Sequence, residues 1–317
     1  MNKLYLGIDI GGTSVKIGLV DETGKILSSK EYSVSYDQYR TPILETVLKS
    51  TDLFLECYGI RNKQLRGIGI SATGQIDTTL GIVAGSGGNI KNWENSNLKS
   101  AFTDKYHLPV TVVNDANCVA LGEKWIGSAK DASNVIVLTI GTGLGGGVIV
   151  NNQILLGQCG YGGEIGHFSI EMQGLPCTCG NSGCFEQYAS MTALVKMVTQ
   201  YYEAKNKDYL LHHMVNGRTI FESVANKESD IVQIVDQWIH NISVGIVSLV
   251  HIFNPQLVII GGGVSIQEEL FISKLREKVM KRVMPNFRNN LKLNAASLGN
   301  NAGLVGAVYY FITSQES

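Results

Sequence analysis

The 317-residue chain has only five prolines, and only 17% of its residues are charged. Its 26 basic and 27 acidic side chains leave a formal net charge of −1. No polybasic surface is therefore offered to nucleic acid or to an anionic membrane. No run of about 18 uninterrupted apolar residues occurs, so no membrane span is expected. The opening "MNKLYLGIDIGGT" has a short apolar run already broken by Asp9, which does not read as a signal-peptide core. These absences predict a cytoplasmic protein with neither a nucleic-acid nor a membrane partner. Thiols stay reduced in that compartment, which weighs against disulfides among the six cysteines.

What the chain does have is a 44% hydrophobic composition and 36 glycines, gathered in clusters. Its length suits two domains of ordinary size. "LGIDIGGTSVKIGLV" (6–20) and "VLTIGTGLGGGVIV" (137–150) share one design: an apolar run, a Gly-rich turn and a second apolar run. Each reads as a strand, a tight turn and a returning strand, either as ordinary hairpins or as the matching parts of two related α/β halves. Further strands are expected at 67–71, 110–113 and 257–260. Helices are expected at 42–57, 190–202 and 302–312. The clearest helix runs from Asp230 to Phe253, where Ile231, Val235, Trp238, Ile242, Ile246 and Leu249 recur at helical spacing. Alternating strands and helices predict an α/β fold.

Three Gly-rich turns each follow an apolar strand: "DIGGT" (9–13), "GTGLGGG" (141–147) and "GGG" (261–263). Such turns can aim backbone N–H groups at phosphate oxygens. None is a Walker A loop, and the G-x-G-x-x-G within 141–146 leads into a strand, not the helix of a dinucleotide site. Asp9 stands inside an apolar strand beside the first loop. Since a buried, unpaired carboxylate is costly, it must meet water, a cation or a donor. Near phosphates a hydrated Mg²⁺ is the cheapest such partner. Asp115, at the end of the apolar run "VTVVND", reads either as a helix N-cap or as a catalytic carboxylate. Cys177, Cys179 and Cys184 follow the spacing C-x-C-x₄-C in "PCTCGNSGC". Three thiolates need one more ligand for a tetrahedral zinc site. Cys57 and Cys118 read as buried structural thiols.

Together, "LGIDIGGTSVKIGLVD", "NDANCVALGE", "LTIGTGLGGGVI", "GEIGH", "CTCGNSGCFEQYAS" and "IIGGGV" resemble the ROK family of repressors, open-reading-frame products and sugar kinases. The resemblance covers nearly the whole chain. It implies two ribonuclease H-like α/β domains around a cleft, the actin/hexokinase-like ATPase fold. The smaller domain would comprise residues 1–117 plus about 300–317, and the larger one 118–299 with the cysteine motif. Repressor members carry a helix-turn-helix ahead of the "DIGGT" loop; here that strand starts at Leu4, which favours a kinase.

The resemblance further implies that Asp115 takes the proton from a sugar 6-hydroxyl as it attacks the γ-phosphorus of ATP. Asn89, Asn114, Asp115, Glu164, His167 and Glu186 would hold the sugar. Asp9, Gly11, Gly12, Thr13, Lys16, Thr142, Gly143, Gly262 and Gly263 would hold ATP and Mg²⁺. His167 would join Cys177, Cys179 and Cys184 around a structural Zn²⁺. A homodimer is the family's common state. "GSGGNI" (85–90), "VHIFNPQ" and "GNNAGLVGAVYYF" are similar to the β-glucoside kinase branch. Glucose, N-acetylmannosamine and N-acetylglucosamine remain alternative substrates, and a sugar-sensing regulator without turnover is the alternative of another class.

Overall fold

In this computed structural model the described residues are 3–86, 90–205 and 214–315. The first half is a five-stranded sheet. It comprises β1 (Leu4–Ile10), β2 (Ser14–Asp21), β3 (Ile26–Ser33), β4 (Leu65–Ala72) and, after the small hairpin β5 (Gln75–Asp77) and β6 (Ile82–Gly85), β7 (Val110–Asn114). Its order is β3-β2-β1-β4-β7. The second half repeats the plan with β8 (Val135–Ile140), β9 (Leu144–Val150), β10 (Gln153–Ile154), β11 (Leu257–Gly261) and β12 (Lys292–Ala295), in the order β10-β9-β8-β11-β12. In both sheets the first three strands form an antiparallel meander, and the last two join parallel to the first. The two halves therefore share one topology. Ile10 and Ile140 each end the first strand of the repeated hairpin.

Helices α1 (Ile43–Cys57) and α2 (Leu98–Tyr106) cover one face of the first sheet, where Val47, Phe54 and Phe102 meet Leu6, Ile8 and Ile70. Helix α3 (Asp115–Trp125) follows β7 directly. After α4 (Met191–Ala204) and α5 (Gly217–Ala225), the 25-residue α6 (Ser229–Phe253) packs Trp238, Ile242, Ile246 and Leu249 into the second core. α6 is rich in Ile and Val, each poorer than Ala as helix formers by a few tenths of a kcal/mol. Burial outweighs that, at about 2 kcal/mol for each large apolar side chain removed from water. Asn254 ends α6 in the left-handed conformation, φ 45°. Helix α7 (Ser273–Arg282) adds Leu275 and Val279 to the same core.

The last helix, α8 (Ala302–Ser314), returns to the first sheet and lays Leu304, Val305, Val308 and Phe311 on its second face. α3 packs instead on β8 and β9 of the second sheet and crosses α8. At that crossing a side chain on Gly306 would enter the Cys118 carbonyl, and one on Gly122 would enter the Ala302 carbonyl. The two halves thus meet backbone to backbone.

The expectation for Cys57 is corrected. Cys118 is buried, but Cys57 is exposed, because the buried stripe of α1 runs through Ile43, Val47, Thr51 and Phe54 and leaves position 57 outside. Among the described residues no helix is long and apolar enough to cross a membrane.

Candidate active site

A cleft of about 1070 Å³ opens where both sheets present the C-terminal ends of their parallel strands. Asp9, Gly11, Lys16, Asn114, Asp115, Gly143, Glu164, His167, Glu186, Gly262 and Gly263 all line it. Gly12, Thr13 and Thr142 fall outside that lining; Gly12 and Thr142 use their carbonyls to hold the Tyr39 and Thr192 hydroxyls. Asn89 lies outside the described residues.

Asp9 sits opposite Ser71 in the parallel β1–β4 register and opposite Lys16 in the antiparallel β1–β2 register. The Ser71 hydroxyl donates to Asp9 Oδ1 at 2.5 Å. Burial pushes the Asp9 carboxyl up, with Ser71 and Lys16 acting in the opposite direction. The partner that Asp9 requires is therefore in part a protein donor, which the strand pattern did not reveal. Lys16 reaches across to the C-terminal segment, where Nζ donates to the Asn300 carbonyl at 2.6 Å and to Asn301 Oδ1 at 3.3 Å.

Asn114, not Asp115, caps α3. Its Oδ1 accepts from Ala116 N at 2.9 Å and Asn117 N at 3.1 Å, while Nδ2 donates to the Gly74 carbonyl at 2.9 Å and to Asp115 Oδ1 at 3.1 Å. The Asn114 amide is thus occupied within the protein. Asp115 is the first residue of the helix and accepts from Ala116 N at 2.8 Å. The capping expectation passes to the preceding residue, and the Asp115 carboxyl is left to the cleft. Burial, reinforced by the negative charge of Asp9 and more weakly of Glu164, pushes Asp115 up to about 6.

The opposite wall is built around the cysteines. Glu186 opens a short helical turn and accepts from Leu144 N at Oε2, 2.9 Å away. Burial raises the Glu164 carboxyl, with Glu186 adding to the effect and His167 opposing it. The ligand atoms of His167, Cys177, Cys179 and Cys184 all lie within 4.8 Å of one another. His167 Nδ1 is 3.7 Å from Cys177 Sγ, and Cys179 Sγ is 3.6 Å from Cys184 Sγ. A tetrahedron with zinc–sulfur bonds of about 2.3 Å has edges of roughly 3.8 Å, so the four residues fit zinc. Burial would raise the Cys177 thiol, but hydrogen bonds from Cys179 and His167 bring it down to about 7, toward the thiolate that a metal needs. Bound through Nδ1, His167 would keep Nε2 for a ligand in the cleft. Cys159 stands apart from this cluster, its carbonyl accepting from Thr78 N at 3.3 Å.

Sequence reasoning missed three residues here. Ser71 and Thr73 bear on the two acids of the first half. Glu123, fully buried on α3, accepts from Ser128 N, Ser297 N, Ser297 Oγ and Leu298 N at 2.8–3.0 Å. It fixes the segment that carries Asn300 and Asn301. The signal for Ser71 and Thr73 was two hydroxyls two residues apart at a strand end; nothing local marks Glu123.

The ROK family pattern matches residues 5–314. The chain belongs to the ROK family. Its ROK relatives include a glucokinase of Thermotoga maritima, 33% identical over 97% of this chain and 97% of that protein. A xylose repressor of Caldicellulosiruptor bescii is 32% identical over 98% of this chain and 79% of the repressor. Among solved structures, a ROK glucokinase from Streptomyces griseus, in complex with glucose and AMPPNP, superposes with a TM-score of 0.80 at 33% identity, covering 96% of this chain and 97% of that one. The fold is the ROK hexokinase-like ATPase fold that the resemblance implied, and its two halves share the topology that the repeated hairpin suggested.

Proposed function

We propose that the chain is an ATP-dependent carbohydrate kinase that transfers the γ-phosphoryl group to the 6-hydroxyl of a hexose or glucoside. A glucokinase or β-glucoside kinase activity is the leading form. The observation that carries this reading is the Asp115 carboxyl, held at the cleft between the Gly-rich turns and the Glu164–His167–Glu186 wall. Asp115 would accept the proton of the attacking hydroxyl. Glu164, Glu186 and His167 Nε2 would each hold sugar hydroxyls, together with Asn89. The turns at Gly11, Gly143 and Gly262–Gly263 would offer N–H groups to ATP. Mg²⁺, when bound with ATP, neutralises phosphate charge, and Asp9 is the carboxylate placed to hold its water shell. Zinc on His167, Cys177, Cys179 and Cys184 would fix the imidazole plane. We place the domain boundaries near residues 117 and 300 and expect a homodimer, which size-exclusion chromatography with light scattering would check.

The test is ATP consumption with a panel holding glucose, N-acetylmannosamine, N-acetylglucosamine, cellobiose and aryl β-glucosides. Turnover with one or more supports the reading and names the substrate; turnover with none overturns it. The repressor relative favours a second reading, a sugar-sensing regulator, which predicts sugar binding by calorimetry without ATP turnover.

A further inference from the structure

β4 runs into the cleft as Ser71-Ala72-Thr73. Residues two apart on an extended chain face the same side. The Ser71 side is turned toward Asp9, since its hydroxyl donates to Oδ1 at 2.5 Å and the residue is wholly buried. Among the described residues no group donates to Asp9 Oδ2. Behind this carboxylate stands Gly303, where an added Cβ would lie 2.7 Å from either oxygen. The missing side chain is what leaves room for the carboxylate.

Thr73 continues the ladder one residue past β4, its N–H donating to the Ile10 carbonyl at 3.0 Å. Its own carbonyl accepts from Nε1 of the fully buried Trp93 at 2.8 Å. With the backbone held on both sides, its side chain lines the cleft together with Asp115, and its hydroxyl opposes the rise that burial imposes on the Asp115 carboxyl. One strand end thus places one hydroxyl on Asp9 and a second in the cleft that Asp115 lines.

We propose that Ser71 and Thr73 are positioning residues for phosphoryl transfer. Ser71 occupies one oxygen of Asp9 and leaves Oδ2 to the hydrated cation. Thr73 sets the rotation of the Asp115 carboxyl against the sugar hydroxyl. The spacing of two carboxylates that repel one another is thereby set by a rigid strand, with neither acid depending on the other for a partner. The competing explanation is that both hydroxyls merely satisfy buried carboxylates, and it predicts losses of stability alone.

The inference rests on the kinase reading, and the experiment separates the two. Ser71→Ala, Thr73→Val and Thr73→Ser are compared with wild type, with folding checked by circular dichroism and thermal melting. Mn²⁺ affinity is read by electron paramagnetic resonance in the presence of a non-hydrolysable ATP analogue, alongside steady-state kinetics. Ser71→Ala is expected to weaken Mn²⁺ binding and raise the Mg²⁺ requirement about 10-fold, with the KM for sugar unchanged. Thr73→Val is expected to lower kcat by about 10- to 100-fold at unchanged KM for sugar and ATP, and Thr73→Ser to restore it to within about 3-fold. Wild-type turnover accompanied by folded variants with unchanged Mn²⁺ affinity and kcat would overturn this inference and leave the kinase reading standing. A wild type that neither binds the metal–nucleotide nor turns over sugar would overturn both.

Discussion

The Leu144 backbone N–H donates to Glu186 Oε2 at 2.9 Å, joining the turn of the second Gly-rich hairpin to the wall that carries the cysteines. Gly143, beside it, leaves the space in which that carboxylate lies, for a Cβ there would enter Oε2. Gly143→Ala is expected to displace Glu186 and raise the KM for both sugar and ATP. Steady-state kinetics of the variant checks this.

Asp115 must be ionised to accept a proton. Burial and Asp9 raise its folded-state value to about 6, so activity is present above that pH and falls as pH drops through it. The acid limb of kcat/KM is expected near 6, not near 4. Asp115→Asn is expected to lower kcat by at least about 1000-fold while sugar binding by calorimetry persists.

Purified protein is expected to hold about one zinc per chain by elemental analysis. Cys179→Ser would remove one of the four proposed ligands. It is expected to lower metal content and to raise the KM for sugar more than it lowers kcat, because His167 and Glu186 lose their support while Asp115 stays in place.

Glu123→Ala would strip the acceptor from three backbone N–H groups and the Ser297 hydroxyl. These bonds are only part-buried, so each donor left without its acceptor costs toward the lower end of about 1–3 kcal/mol. A drop in melting temperature of several degrees is expected, with a higher KM for ATP because the segment through Asn300 loosens. Differential scanning fluorimetry with and without nucleotide reads both effects.

How much of this was legible in the sequence depended on whether a residue's surroundings were local. The hairpin repeat gave the duplicated sheets because its two arms are adjacent in sequence. The cysteine cluster was legible because its three thiols fall within eight positions, 177–184, whereas His167 joined it only through the family resemblance. Asp9 stood out as a charge in an apolar strand. The division of labour between Asn114 and Asp115 was not legible, because both residue types suit an N-cap and only backbone dihedrals decide which one caps. Strands β5, β6, β10 and β12 have four residues or fewer and carry no usable periodicity. Ser71 and Glu123 look like ordinary polar residues until β1 or the segment after β12 is brought alongside, and no pattern within their own elements announces that partner.

The glycine crossing of α3 and α8 sets how the acid approaches its target. Gly122 lies seven residues from Asp115, roughly 10 Å along a helix rising about 1.5 Å per residue. The backbones touch at Gly122 and Gly306, and three residues further along both helices the Trp125 and Tyr309 rings stack with centroids 5.3 Å apart, which leaves the two rods little room to slide. A pivot of about 10° would sweep the Asp115 end through roughly 2 Å of arc, the difference between a distant carboxyl and one in hydrogen-bond reach. The reach of the Asp115 carboxyl would then be governed by an angle, about a contact made by two residues that have no side chains at all.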